Sequence, residues 1–119
     1  MTEYQHKTLA AGRWGDLPFH KQMANIGSEI SRAIKWKRKN NEEQMQKAVT
    51  RCLELIDLTV LSRQKYMRKM GKDRDGALRE LMRNRECICD YFLGRNEYDC
   101  NEGKLMKYFD QFAMIGNDR

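Results

Sequence analysis

The chain has 119 residues, the size of one domain, and is long enough to bury a single core without disulfides or metal ions. Charged residues make up 34% of it, and its mean hydropathy is −0.88. The apolar residues nevertheless recur in periodic runs, which excludes a wholly disordered chain. A single proline and the near absence of strand-like alternation favour helix, so we predict an all-α protein.

The net charge of +6 makes nucleic acid a candidate partner. The excess is local: residues 1–40 carry 8 Lys and Arg against 3 Asp and Glu, and residues 63–75 carry 6 against 2. No apolar run is long enough to span a bilayer, and no N-terminal apolar segment is typical of a signal peptide. We therefore expect a cytoplasmic protein with no membrane partner, whose four cysteines are reduced thiols.

The first predicted helix follows an irregular lead-in, residues 1–15, of which only Trp14 is expected to fold back over the core. Asp16 is the predicted N-cap, with Pro18 in the first turn, where its missing N–H costs nothing. Apolar residues then recur at spacings of three and four. Gly27 lies beside this stripe, and we interpret it as allowing a close crossing by another helix.

The second predicted helix contains the most apolar run of the chain, Ala48–Leu61, and we expect the other helices to pack around it. A short turn at Asn40 and Asn41 joins it to the first helix, which makes the two antiparallel. Leu58 and Leu61 point away from its main apolar face. We therefore predict a second apolar side, covered by neighbouring helices or by another subunit, with these two leucines as interface residues.

A turn rich in glycine and aspartate leads to the third helix, with Asp73 or Asp75 as its N-cap and Gly94 as its C-terminal cap. A polar loop and a short fourth helix follow. The single domain is expected to span residues 16–116, with a frayed tail at 117–119. The predicted helices form an antiparallel up-and-down bundle and lie at about 17–39, 42–67, 74–93 and 103–115.

Two charges lie where the periodicity predicts core. Asp57 belongs to the apolar run of the second helix, and Arg85 interrupts the apolar stripe of the third. A buried charge is costly unless it is paired. Antiparallel packing places Asp57 level with residues 83–85, so we predict a buried, structural ion pair between Asp57 and Arg85, with Arg83 as the second choice.

Basic residues end the first two helices and form two clusters: Lys35, Lys37, Arg38 and Lys39 in one, and Arg63 and Lys65 in the other. Cations are favoured at a helix C-terminus by the macrodipole, and this is the preferred interpretation; phosphate binding is the alternative. Antiparallel geometry separates the clusters by a helix length, so they form no continuous stripe for a duplex. Nucleic acid is therefore a partner that the pattern permits but does not favour.

No known catalytic or cofactor-binding motif occurs in the chain. His6 and His20 are far along the chain from the cysteines, and Cys87 and Cys89 lack the spacing of a zinc site. A cysteine nucleophile needs a base, and the sequence offers none nearby. We expect no catalytic residue, no metal and no cofactor, and no motif identifies a small-molecule ligand. A protein that is not an enzyme is favoured.

A helical hairpin followed by a third helix carrying Arg83 and Asn84 is similar to HEPN-domain proteins, whose RNase members use an arginine, a polar residue and then a histidine. The places of that histidine are occupied by Ile88, Cys89 and Asp90. The resemblance implies a non-catalytic member that acts by binding. The stretch WGDLPFHKQMANIGSE, residues 14–29, is also similar to small bacterial and archaeal helical proteins, which implies no particular activity.

Two functions follow from these observations. The preferred one is an interaction module that binds a protein partner or a second copy of itself through Leu58 and Leu61. The alternative is an RNA-directed protein of HEPN type, an RNA binder or a degenerate, toxin–antitoxin-like RNase, acting through Arg83, Arg85 and the two basic clusters. The oligomeric state and the salt dependence of RNA binding distinguish them.

Overall fold

The computed structural model describes residues 13–72 and 75–117. Within them every regular element is a helix and there is no strand, so the all-α prediction is confirmed. A 3₁₀ turn at Trp14–Asp16 precedes four α-helices: α1 (Phe19–Arg38), α2 (Glu42–Lys69), α3 (Gly76–Leu93) and α4 (Glu102–Asn117). Most of the predicted lead-in, residues 1–12, and the last two residues of the predicted tail, 118–119, lie outside the described part.

The helices alternate in direction, as two ion pairs between them show. Arg38 at the end of α1 contacts Glu102 at the start of α4. Arg63 near the end of α2 binds Asp75, which caps α3. Each pair joins the end of one helix to the start of another, so α1 to α4 form the predicted up-and-down bundle.

The first helix shares the central position that we predicted for α2 alone. It packs extensively against both α2 and α4, whereas α2 contacts α1, α3 and the 3₁₀ turn. Its apolar side chains Met23, Ile26, Ile30 and Ala33 are fully buried. The expectation that the other helices pack around α2 is therefore only half right, because α4 returns to α1.

The apolar periodicity of α2 predicts a buried face that includes Leu53 and Val60 but not Leu55, and the observed face is centred differently. Leu55 is buried, whereas Leu53 and Val60 are only partly buried. The cause is the position of α1, which approaches from the side of Arg51 and Leu55, as the hydrogen bond from Arg51 Nε to Glu29 Oε2 (3.3 Å) shows.

Trp14 closes one end of the core, as predicted. Its side chain is 2% exposed, and Nε1 donates to Thr59 Oγ1 at 2.9 Å. Gln22 Nε2 donates to the Trp14 carbonyl oxygen at 2.9 Å. The 3₁₀ turn is thereby fixed to α1 and α2, so the end of the predicted irregular lead-in is ordered.

The predicted N-cap of α3 is confirmed, whereas that of α1 is wrong. Asn41 and Asp75 are the N-caps of α2 and α3, where their side chains accept from the N–H groups of Gln44 and Leu78. Asp16 was predicted to cap α1, and this is wrong. It lies in the 3₁₀ turn, which ends with Leu17 N–H donating to Trp14 O at 3.1 Å, and α1 begins two residues later than expected.

Gly27 lies at a close approach between α1 and α4. A Cβ atom built on Gly27 would lie 3.0 Å from Phe109 Cβ, so a residue with a side chain here would force Phe109 to shift by a few tenths of an ångström. This confirms the interpretation of Gly27 as a crossing point. Among the described helices none is long and apolar enough to cross a membrane.

Candidate functional site

Asp57 and Arg85 form an ion pair between α2 and α3. Arg85 Nε donates to Asp57 Oδ1 at 3.0 Å, and Nη2 donates to Oδ2 at 3.4 Å. The two parallel contacts give the fork geometry in which arginine binds a carboxylate most strongly. This is the pair expected from the antiparallel register, and Arg83, the second choice, is exposed and lies outside it.

We predicted a buried pair, but the observed pair is partly exposed. The Asp57 side chain is 51% exposed and that of Arg85 is 30% exposed. Both residues lie outside the buried core, to which α2 and α3 contribute residues such as Ile56 and Leu81. An ion pair this exposed contributes only about 0.2–1 kcal/mol to stability. Its position on the surface matters more than its energy.

Apolar side chains flank the ion pair on the same surface. Leu61 follows Asp57 by one turn of α2, and Met82 precedes Arg85 by one turn of α3. Because the helices are antiparallel, Leu61 and Met82 lie level with each other, and they are 57% and 42% exposed. Leu93, 53% exposed, continues this side of α3.

The α3 side of this surface is a regular stripe. Met82, Cys89 and Leu93 follow at spacings of seven and four residues, which places them on one face of a helix. Cys89 is half-buried, and Arg85 Nη1 lies 3.9 Å from its Sγ. We call the surface formed by Leu61, Met82, Cys89 and Leu93 the α2–α3 apolar face.

Leu58 does not belong to this face. It is partly buried and packs against the core. Of the two leucines predicted as interface residues, Leu61 alone is exposed, so the surplus apolar surface lies towards α3.

The first basic cluster lies where the end of α1 meets α3 and the start of α4. Lys37 Nζ lies 5.1 Å from the centre of the Tyr91 ring, and Lys39 Nζ lies 5.4 Å from that of Trp36. Arg38 is paired with Glu102. Lys35 is exposed. Lys37 and Arg38 therefore bind neighbouring helices, in addition to their favourable interaction with the α1 macrodipole.

The second basic cluster lies at the opposite end of the bundle, as expected. Arg63 Nε donates to Asp75 Oδ2 at 2.9 Å, and its guanidinium lies 4.7 Å from the Phe19 ring centre and 5.4 Å from that of Tyr66. These contacts join three helices. Lys65 is exposed. Arg63 is therefore a structural residue, which leaves Lys65 as the exposed cation of the predicted pair.

Two of the four cysteines, Cys52 and Cys100, have raised pKa values. Burial raises the pKa of the Cys52 thiol far above its usual range, and Glu29 raises it further. Burial and a hydrogen bond with Cys87 raise the pKa of Cys100 to about 12. Both groups are protonated at neutral pH and are weak nucleophiles. His20 lies on α1, His6 lies outside the described residues, and within residues 13–72 and 75–117 no three metal-ligating side chains come together.

The two residues that carry the HEPN resemblance lie next to each other on α3 but differ in exposure. Arg83 is exposed, whereas Asn84 is partly buried and donates Nδ2–H to the Glu80 carbonyl oxygen at 2.9 Å. This bond is the local back-bonding of a polar side chain within its own helix.

One buried charge was missed by the sequence analysis. Glu29 on α1 is 8% exposed, and it accepts from Arg51 Nε at 3.3 Å and from Arg32 Nη1 at 3.2 Å. The pairing of Glu29 with Arg51 could have been predicted from the hairpin register, because the turn at Asn40 and Asn41 places residue 29 level with residue 51 or 52.

Comparison with protein-family models, curated proteins and solved structures gives no match. The function proposed below therefore rests on the geometry of the described residues.

Proposed function

We propose that the protein is a non-enzymatic helical interaction module that associates with a second copy of itself through the α2–α3 apolar face. The observation that carries this proposal is the exposure of Leu61, Met82 and Leu93 on one side of a 119-residue bundle. Several exposed apolar side chains on one side of a protein, with charged residues beside them, are typical of interfaces. A cytoplasmic location belongs to the proposal, because reduced thiols persist there.

A two-fold axis suits the spacing of this face. If two α3 helices pack antiparallel with the axis beside residues 87–88, Met82 of one copy lies level with the partner's Leu93, and the reverse contact follows by symmetry. The two residues are eleven positions apart, so the contact extends over about 16 Å of helix.

The ion pair adds charge complementarity to the same face. Asp57 uses its carboxylate oxygens for Arg85 but is still half-exposed. A carboxylate accepts about four hydrogen bonds, so Asp57 retains capacity for a donor from a second copy. Arg85 likewise holds donors beyond those it gives to Asp57.

Light scattering after size exclusion tests this proposal. The double variant Leu61→Glu, Met82→Glu is expected to be monomeric at concentrations where the wild type is dimeric, because four carboxylates would enter each interface. Both positions are exposed, so the variant should fold. Met114→Glu is the matched control, since Met114 is 71% exposed on α4 and should leave the dimer intact. A wild type that stays monomeric at about 1 mM would contradict self-association.

The RNA-directed alternative draws on the net charge of +6 and on the exposed Lys35 and Lys65. The contact of Arg63 with the buried carboxylate of Asp75 weighs against it, because it removes that cation from a phosphate surface. An RNA complex would weaken steeply with salt, and single-stranded RNA that fails to bind at low salt would end this alternative.

A further inference from the structure

A cleft of about 480 Å³ lies between the last turns of α1 and the first turn of α4. Its α1 wall is one helix face on which Ile34, Lys35, Arg38 and Lys39 follow at helical spacing. Its α4 wall includes Glu102 and Gly103. The volume is within the range of small-molecule pockets, which is about 300–1,000 Å³.

The charges around this cleft are unequal. Lys35, Arg38 and Lys39 line it from α1, and Glu102 is the one acidic side chain among its lining residues. A helix macrodipole attracts cations to the C-terminus on every side of the axis, so it does not explain why three of four basic residues share one cleft.

The start of α4 adds a second source of positive potential. The Asn101 side chain accepts from Lys104 N–H at 2.9 Å, and its carbonyl oxygen accepts from Leu105 N–H at 3.1 Å. The N–H groups of Glu102 and Gly103 precede these and have no acceptor within an α-helix. The positive end of the α4 dipole therefore lies at the same cleft as the α1 cations.

We propose that this cleft binds the phosphate group of a small phosphorylated molecule. Lys35 and Lys39 would contact the phosphate, Gly103 allows its close approach to the α4 backbone, and Ile34, 6% exposed, offers an apolar floor to the rest of the ligand. This site lies on α1 and α4, so it does not depend on self-association through α2 and α3.

Glu102 makes the site selective for a strong anion. It is paired with Arg38 and accepts from Tyr91 Oη at 3.2 Å. The Arg38 side chain is 70% exposed and can exchange this carboxylate for a phosphate. An incoming phosphate therefore competes with Glu102 for Arg38.

Amide shift perturbation of ¹⁵N-labelled protein tests the site, with inorganic pyrophosphate and ADP as separate probes and sulfate as the comparison anion. Both phosphate probes are expected to shift the amides of Gly103 and Lys104.

The double variant Lys35→Gln, Lys39→Gln is expected to weaken binding of both probes about tenfold, because it removes charged hydrogen bonds to the phosphate. The control, Lys65→Gln with Lys69→Gln, removes the same charge at the other end of the bundle and should have no effect. If ADP binds more tightly than pyrophosphate, the apolar floor contributes to binding. If the two bind equally, the site recognises the phosphate groups alone.

Glu102→Gln tests whether Glu102 competes with phosphate for Arg38. Because it frees Arg38, it is expected to strengthen pyrophosphate binding several-fold, and weaker or unchanged binding would contradict the competition described above. The proposal is overturned if neither phosphate probe shifts these amides at low salt, if sulfate shifts them equally, or if the Lys65 and Lys69 control loses binding equally.

Discussion

At the scale of single residues, several side chains hold two elements at once. Trp14 fastens the 3₁₀ turn to Thr59 on α2, and Glu29 binds Arg51 across the α1–α2 hairpin. Asp75 caps α3 through Leu78 N–H. It also binds Arg63 on α2. In each case a polar group is satisfied by a neighbouring element, so it fixes the register of two helices as well as its own position.

Asp75 gives a prediction for the pH dependence of stability. Burial raises the pKa of its carboxyl, but the hydrogen bonds from Arg63 and Leu78 outweigh it and hold the pKa below its ordinary value of 3.8. A carboxyl with a lower pKa in the folded state stabilises the protein above the unfolded-state pKa, and this stabilisation is lost as the pH falls through the folded-state pKa. Asp75→Asn should lower the free energy of unfolding by about 1–2 kcal/mol near neutral pH.

Urea denaturation at a series of pH values measures this effect. The difference between wild type and Asp75→Asn should shrink as the pH falls below about 3.8, because Asp75 is then protonated in the wild type. Asp99→Asn is the control at an exposed position and should be nearly neutral. A difference that stays constant through the acid range would contradict the assigned role of the carboxylate.

At the scale of elements, the sequence predicts what is periodic or local. The four helices and the cap at Asp75 follow from helix patterning and turn chemistry, and the Asp57–Arg85 pair follows from the antiparallel register. The start of α1 was missed because Trp14 draws residues 14–16 into a separate turn through a contact distant in the chain.

The packing of α4 against α1 could not be predicted from the sequence either, for a different reason. A polar loop of eight residues, 94–101, joins α3 to α4, and its length leaves several placements open. The α1–α4 cleft depends on that placement. The cations of its α1 wall were therefore visible in the sequence, whereas the site they form was not.

Gly27 tests the α1–α4 crossing. Gly27→Leu is expected to destabilise the protein by about 1–3 kcal/mol, because the new side chain would have to displace Phe109, which is 1% exposed. Ser28→Leu is the matched control on the exposed side of the same turn and should change the free energy of unfolding by less than about 0.5 kcal/mol. Equal effects of the two substitutions in urea denaturation would argue against a close crossing.

At the scale of the whole molecule, the bundle is covered unevenly. α1 is enclosed by α2 and α4, whereas α3 has fewer contacts and carries Met82 and Leu93 on its outer side. Pairing of two copies along α3 would cover this side. It would also make stability rise with protein concentration, since association favours the folded state.

The most direct measurement of self-association is the ¹³C-methyl NMR signal of Met82 in a dilution series. The Met82 ε-methyl signal should move or broaden as the concentration rises to about 1 mM, while that of Met114, which is 71% exposed on α4, stays unchanged. A Met82 signal that is independent of concentration, or a change at Met114 instead, would contradict association through the α2–α3 apolar face.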